Sequence, residues 1–358
     1  MRYRDAPVTT PYASEAFLHQ ILAKAQAAQA SDIHLRVGQP PGARVHGDIV
    51  YFRAEPLLPE DTEAVARLVL ARRPSVLGAL GSLREVDVSY EIEGLGRFRV
   101  HVYLQRGTIS LVMRVIPGKT LAFEALGVPP AARGLADKSR GLVLVVGAAG
   151  QGKTTTLASM LAHIVETYPK HLVTIEDPIE FVHASGRATV SQREVGSDTE
   201  SFASGVRAAL RQDPNVLLVG EIRDAATMEV VLQAAETGHL VLSSLHTPDV
   251  GRTVGRLLSM SSTPQETRDR LSECLQGIVA QRLLPRREGG GLVLASEVLV
   301  ATGTVRAAIK HPEGNPSLRE LMEKGVTPYG MQTFAMHIER LVAEGLVDAD
   351  VARAATQF

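Results

Sequence analysis

The spacing of apolar residues changes twice along this chain. Residues 14–29 (SEAFLHQILAKAQAAQ) place Phe17, Ile21, Leu22 and Ala25 on one helical face, which predicts an amphipathic helix. The period then falls to two. SDIHLRV, ARVHGDIVYF, DVSYEIEG, RFRVHVYL and ISLVMRVIP all alternate, with turn residues at 38–41, 94–96 and 105–107. Runs of this kind are antiparallel strands with one solvated face. Residues 59–80 read as helical between them. A small α+β domain over residues 1–116 follows. Residues 117–130 hold Gly118, Gly127, Pro129 and Pro130 with little periodicity, and predict a hinge-like linker.

Residues 131–358 follow another rule. Short apolar runs at 142–147, 171–175, 215–220 and 240–245 alternate with helix-period stretches after 153, at 202–210 and at 225–236. Runs without polar alternation are strands covered on both faces, the mark of a parallel sheet between helices. Residues 266–284 read as one long amphipathic stretch, 292–300 as a late strand or buried segment, and 318–323 and 331–344 as helices. The fold class is α/β, with a helical C-terminal appendage.

The first buried run leads into Gly147-Ala148-Ala149-Gly150-Gln151-Gly152-Lys153-Thr154-Thr155. Its first eight residues match G-x-x-x-x-G-K-[ST] without a mismatch, between a strand and a helix as that motif requires. The glycines let backbone N–H groups turn inward around a phosphate, and the helix N-terminus adds partial positive charge. Lys153 would reach the β- and γ-phosphates, and the Thr154 hydroxyl would ligate Mg2+. Gly147 to Thr155 therefore form a site for a nucleoside triphosphate, ATP with Mg2+.

Three other strand ends carry polar groups. The run at 171–175 ends in Glu176-Asp177-Pro178-Ile179-Glu180, and the run at 215–219 in Gly220-Glu221. Phosphate-loop enzymes commonly end the latter strand with an Asp that holds Mg2+. Here the acid comes one residue later and points the other way, so Glu221 is better placed to polarise an attacking water. The metal carboxylate then comes from the 176–180 cluster, with Glu180 and Asp177 preferred. His246 ends the run at 240–245, where a polar residue can sense the γ-phosphate, although a lone His at a strand end is more often structural. In the first domain, Arg97, Arg99 and His101 share one strand face and Arg114 lies on the next strand. They read either as a solvated face or as arginines that reach a phosphate on a neighbouring subunit, a task suited to the bidentate guanidinium.

Composition narrows the alternatives. A net charge of -1 and 4% aromatic residues count against a translocase that stacks nucleic-acid bases, so no nucleic-acid partner is expected. The single Cys274 leaves no Cys-based zinc site or disulfide framework and fits a reducing compartment. No uncharged apolar stretch approaches the ~20 residues that span a bilayer, which predicts a soluble intracellular protein. A nucleotide-sensing scaffold without turnover is the remaining non-enzymatic class.

These blocks together resemble the type II/IV secretion ATPase superfamily, which includes type II secretion ATPases and type IV pilus motors. The blocks are the phosphate loop, Val173 to His183, Gln192 to Gly196, Leu210 to Pro214, Gly220 to Asp224, Ala235 to Leu240 and Leu245 to Thr247. The resemblance runs from Ser31–Leu35 to the Gly330-Met331-Gln332-Thr333 segment. It implies a PAS-like N-terminal domain joined to a RecA-like ATPase domain in a ring hexamer, peripheral to an inner-membrane pilus platform protein. It also implies Glu221 as catalytic glutamate, Glu180 in an acidic metal-supporting box and His246 in a histidine box. Arg97, Arg99 and Arg114 would complete a neighbour's site in trans. Length and the GMQT segment are similar to the PilT-type retraction motors that drive twitching motility. An accessory paralogue and an assembly-type ATPase are the alternatives within the superfamily. Three departures stand out: GAAGQGKT for the usual GPTGSGKT, Asn215 for a usual Asp, and a weak match over 304–311.

Overall fold

The computed structural model describes residues 10–116 and 122–356. Contacts divide the chain into two units, Met1–Lys119 with Pro178–Val182 and Thr120–Asp177 with His183–Phe358. The acidic run at 176–180 is therefore split. Glu176 and Asp177 belong to the second unit and Glu180 to the first. Of the expected linker, residues 117–121 lie outside the described residues. The remainder holds the short helix Phe123–Leu126, closed by Gly127 at φ 65°, and Pro130 opens the helix Pro130–Ala136.

The first unit is a six-stranded antiparallel sheet of order β3-β2-β1-β6-β5-β4. Its strands are β1 (Ala30–Arg36), β2 (Gly42–Val45), β3 (Asp48–Tyr51), β4 (Glu85–Ile92), β5 (Gly96–Gln105) and β6 (Thr108–Ile116). Alternation places Phe98, Val100 and Val102 of β5 in a core with Leu111 and Met113 of β6. Leu18 and Leu22 of the helix Glu15–Ala27 cover that core together with Val65 and Leu70 of Pro59–Leu70. Ser14 starts the first of these helices by accepting from the Phe17 N–H, an N-cap worth ~1 kcal/mol. Two readings need correction. Residues 43–52 form a hairpin rather than one strand, because His46 and Gly47 both take positive φ, as a two-residue type I′ turn requires. The helix expected over 59–80 breaks after Leu70 and restarts at Pro74, since the residue before a proline is driven from helical geometry.

The second unit is a seven-stranded sheet of order β13-β12-β7-β11-β10-β8-β9. These strands are β7 (Gly141–Val146), β8 (His171–Glu176), β9 (Thr189–Glu194), β10 (Val216–Val219), β11 (Leu240–Leu245), β12 (Leu275–Pro285) and β13 (Leu292–Val300). All neighbours pair in parallel except β12 with β13. β7, β10 and β11 are buried throughout. Leu142, Leu144 and Val146 enter one core and Val143 and Val145 the other. Each such side chain contributes about 1.5–3 kcal/mol, so the sheet is held from both sides.

The expected amphipathic stretch at 266–284 is instead a helix, Pro264–Cys274, followed by β12. Ile278, Val279 and Ala280 are all fully buried, so residues on both faces need cover and a one-sided helix cannot supply it. Gly277 has no room for a side chain, because a Cβ there would lie 2.6 Å from the Leu299 carbonyl oxygen of β13.

Candidate nucleotide site

The C-terminal ends of β7, β8, β10 and β11 meet at one edge of the second unit's sheet. After β7, the phosphate loop turns through Gly150 (φ 75°) and Gly152 (φ 78°) into the helix Lys153–Thr167. Gly147 is required by close approach, since a Cβ there would sit 2.7 Å from the Gln281 carbonyl oxygen on β12. Two side chains stitch the loop region to β12. Gln151 Oε1 accepts from the Leu283 N–H at 2.6 Å, and Gln281 Nε2 donates to Thr156 Oγ1 at 2.7 Å. The departure at Gln151 from the usual loop thus has a structural role, as an anchor.

Lys153 is buried, and its ammonium donates to the Gly147 and Ala148 carbonyls at 2.9 Å each. It also lies 3.4 Å from His246 Nδ1. The other nitrogen of His246 is 3.3 Å from Glu221 Oε2. Glu221 Oε1 accepts from Arg223 Nη2 at 2.5 Å, and Arg223 Nη1 donates to Asp177 Oδ2 at 3.3 Å. A continuous polar chain therefore runs Lys153–His246–Glu221–Arg223–Asp177.

Register explains the chain. Val219 of β10 lies opposite Ile175 of β8, so continuing two residues sets Glu221 beside Asp177. Val146 of β7 lies opposite Leu245 of β11, so the next pair is Gly147 and His246. The 220–224 connector is pinned at both ends. Gly220 bonds to Ile175 and Ser244, and Asp224 caps the helix Ala225–Glu236 through the Thr227 N–H. Ile222 is buried, which turns Glu221 and Arg223 to the opposite side of the extended connector.

The other candidates fall in different places. Arg97, Arg99, Arg114 and Glu180 belong to the first unit. There Arg97 pairs with Glu91 at 3.2 Å, Arg99 with Asp87 at 3.6 Å and Glu180 at 3.8 Å, and Arg114 with Asp32 at 2.8 Å. Glu176 is buried and takes hydrogen bonds from Thr174 and Gln192, which assigns it to holding β9 against β8. His239 bonds to the Ala234 carbonyl and so finishes its own helix. Arg223 was not among the residues singled out from the sequence. The available signal was its position two residues beyond Glu221, on the same side of an extended chain.

A parallel sheet with a phosphate loop after a central strand, and polar groups at the neighbouring strand ends, defines a RecA-like P-loop ATPase unit preceded by an α+β domain. The chain belongs to the family described as Type II/IV secretion system protein, whose model matches residues 11–323. It is 39% identical over 336 residues, 93% of this chain and 96% of the relative, to the type IV pilus retraction ATPase PilT of Pseudomonas aeruginosa. The type IV pilus ATPase PilU of the same organism is 35% identical over 325 residues, covering 88% of this chain and 82% of that one. A crystal structure of the pilus retraction motor PilT with bound ADP matches with a TM-score of 0.85 at 40% identity, over 94% of this chain and 96% of that one.

Proposed function

We propose that this chain is an ATP-hydrolysing motor of type IV pilus retraction, and so of twitching motility, working as a homo-hexameric ring. The observation that carries it is the strand-end chain Lys153–His246–Glu221 beside a complete phosphate loop, in a chain that matches the retraction ATPase over nearly its whole length. Gly147 to Thr155 cradle the phosphates, and Lys153 exchanges its loop carbonyls for phosphate oxygens. Glu221 accepts a proton from water as the water oxygen attacks the γ-phosphorus. The bond to the β–γ bridging oxygen breaks, and its electron pair leaves on ADP. His246 touches both Lys153 and Glu221, so loss of the γ-phosphate is felt at the base through one side chain.

Mg2+ fits the donor set, because Thr154 offers a hydroxyl and Asp177 a part-exposed carboxylate. Such an ion ordinarily takes its other oxygens from phosphate and water. When bound it would bridge the phosphates and neutralise developing charge. Glu180 keeps the metal-supporting place that the resemblance implies. Arg97, Arg99 and Arg114 would act on a neighbour's nucleotide. Among the described residues no helix is long and apolar enough to cross a membrane, which supports peripheral docking on a cytoplasmic face, at an inner-membrane pilus platform protein. No zinc or nucleic-acid partner enters this reading.

A deletion strain of the source organism, scored for pilus number and twitching, tests the reading. Excess pili without movement is the expected outcome. Loss of pili would mean assembly instead, and unchanged pili with weakened movement an accessory motor.

A further inference from the structure

Glu221 is fully occupied. One carboxylate oxygen is held by Arg223 at 2.5 Å and the other faces His246 at 3.3 Å. A general base needs an oxygen that can accept from water at hydrogen-bonding distance, and here each oxygen already has a cationic or donor partner. His246 suits a sensor, because the same ring reaches Lys153. Arg223 has a different second partner. Its other arm ends on Asp177, the carboxylate beside Glu221 in register. One guanidinium thus spans two carboxylates that the site needs for two different tasks.

The surroundings favour release rather than a permanent bridge. Glu221 is 17% exposed and is fixed by the pinned connector, whereas Arg223 is 55% exposed. Beyond the two carboxylates, the contact given for its guanidinium is the Phe202 ring, 5.9 Å from Cζ. The two carboxylates raise its already high pKa further, chiefly through the Glu221 hydrogen bond, so it stays charged throughout. A solvent-facing cation on a flexible stem can swing away at small cost when a competing charge arrives. The competing charge is built into the cycle, because the loop beside it receives a triphosphate.

We propose that Arg223 is a positioning residue that clamps Glu221 in the nucleotide-free subunit and releases it when Asp177 is drawn to the nucleotide's metal. The clamp rests on the reading of Glu221 as the base. It joins the two carboxylates so that the base is freed only where the metal carboxylate has been recruited. An idle subunit in the ring then does not waste ATP.

The test is steady-state ATPase of the full-length ring with MgATP. Arg223→Gln removes the charge and should raise kcat about five-fold, equivalent to about 1 kcal/mol, with KM unchanged within about two-fold. Arg223→Lys keeps one compact charge that cannot span both carboxylates, and its kcat should fall between wild type and Arg223→Gln. A structural role alone would lower kcat or raise KM rather than accelerate turnover. If Arg223→Gln does not fold by thermal melting, Arg223→Lys decides alone. A kcat at or below wild type in the folded variant overturns the clamp. The pair Glu221→Gln and Glu221→Gln/Arg223→Gln separates the two readings. A fast Glu221→Gln enzyme removes Glu221 as base, whatever Arg223 does. A slow one, with no acceleration in Arg223→Gln, removes only the clamp. Acceleration that persists without Glu221 also overturns it.

Discussion

The molecule places arginines against carboxylates in two settings that behave differently. In the first unit the pairs are part of the sheet. Arg97 lies directly opposite Glu91 across β4 and β5, and Arg114 opposite Asp32 across β1 and β6. Arg99 and Arg114 face each other across β5 and β6, so two like charges sit side by side, each screened by an acid on its outer flank. In the second unit, Arg223, Glu221 and Asp177 stand beyond the ends of β10 and β8. No strand ladder fixes them there, and they can exchange partners. Pairs within a ladder hold structure, whereas pairs past the strand ends are available for chemistry. A trans role for the first unit's arginines requires each to leave a local acid. Arg99 and Arg114, 38% and 66% exposed, can do so at small cost, while Arg97 at 13% is the most committed to its sheet.

The largest effects should fall on the strand-end cluster. Lys153→Ala is expected to abolish productive nucleotide binding, measured by fluorescent-nucleotide titration. Glu221→Gln should bind ATP yet lose at least about 100-fold in turnover, the scale of a lost general base. Near-normal turnover in that variant would move the base elsewhere and dissolve the distinction between the two settings.

Next comes the trans role. Arg114→Ala and Arg99→Ala rings should each lose on the order of ten-fold or more in kcat, and Arg97→Ala less. Mixing Arg114→Ala subunits with Glu221→Gln subunits should restore activity, because some interfaces then hold an intact arginine opposite an intact base. Mixed rings that stay inactive at every ratio would leave these arginines as sheet residues only.

How much of this was readable beforehand depends on the reach of each signal. The phosphate loop was legible because its chemistry lies within eight consecutive residues. Strands β7, β10 and β11 were legible because burial on both faces leaves an uninterrupted apolar run. β12 was not. Its neighbours β7 and β13 supply the cover that makes Leu275–Pro285 a strand, and nothing local distinguishes it from the helix before it. Arg223 was missed for a related reason. Its partner Asp177 is 46 residues away, and only the parallel register of β8 and β10 brings them together. Likewise the alternation of β5 announced exposed arginines but not the acids opposite them. A period of two fixes the face of a strand and says nothing of its neighbour.

The smallest effect distinguishes the two settings by pH. Asp32 is buried and receives Arg114 Nε at 2.8 Å. Burial pushes its carboxyl up from 3.8, but hydrogen bonds from Arg114 and Ser31, with the Arg114 charge, outweigh this and hold it below that value. The folded state therefore favours the ionised form. The stability this adds is present above the unfolded pKa and is lost as pH falls through the lower folded value. Arg114→Ala should destabilise the protein by about 1 kcal/mol at pH 7, and by little at pH 3 or below, where Asp32 loses its charge. Arg223→Gln, outside any ladder, should leave the melting midpoint unchanged at both pH values. Thermal melts of the two variants across that range make the check. An Arg114→Ala loss equal at pH 7 and pH 3 would mean that the arginine stabilises the sheet by packing its stem, and not through Asp32.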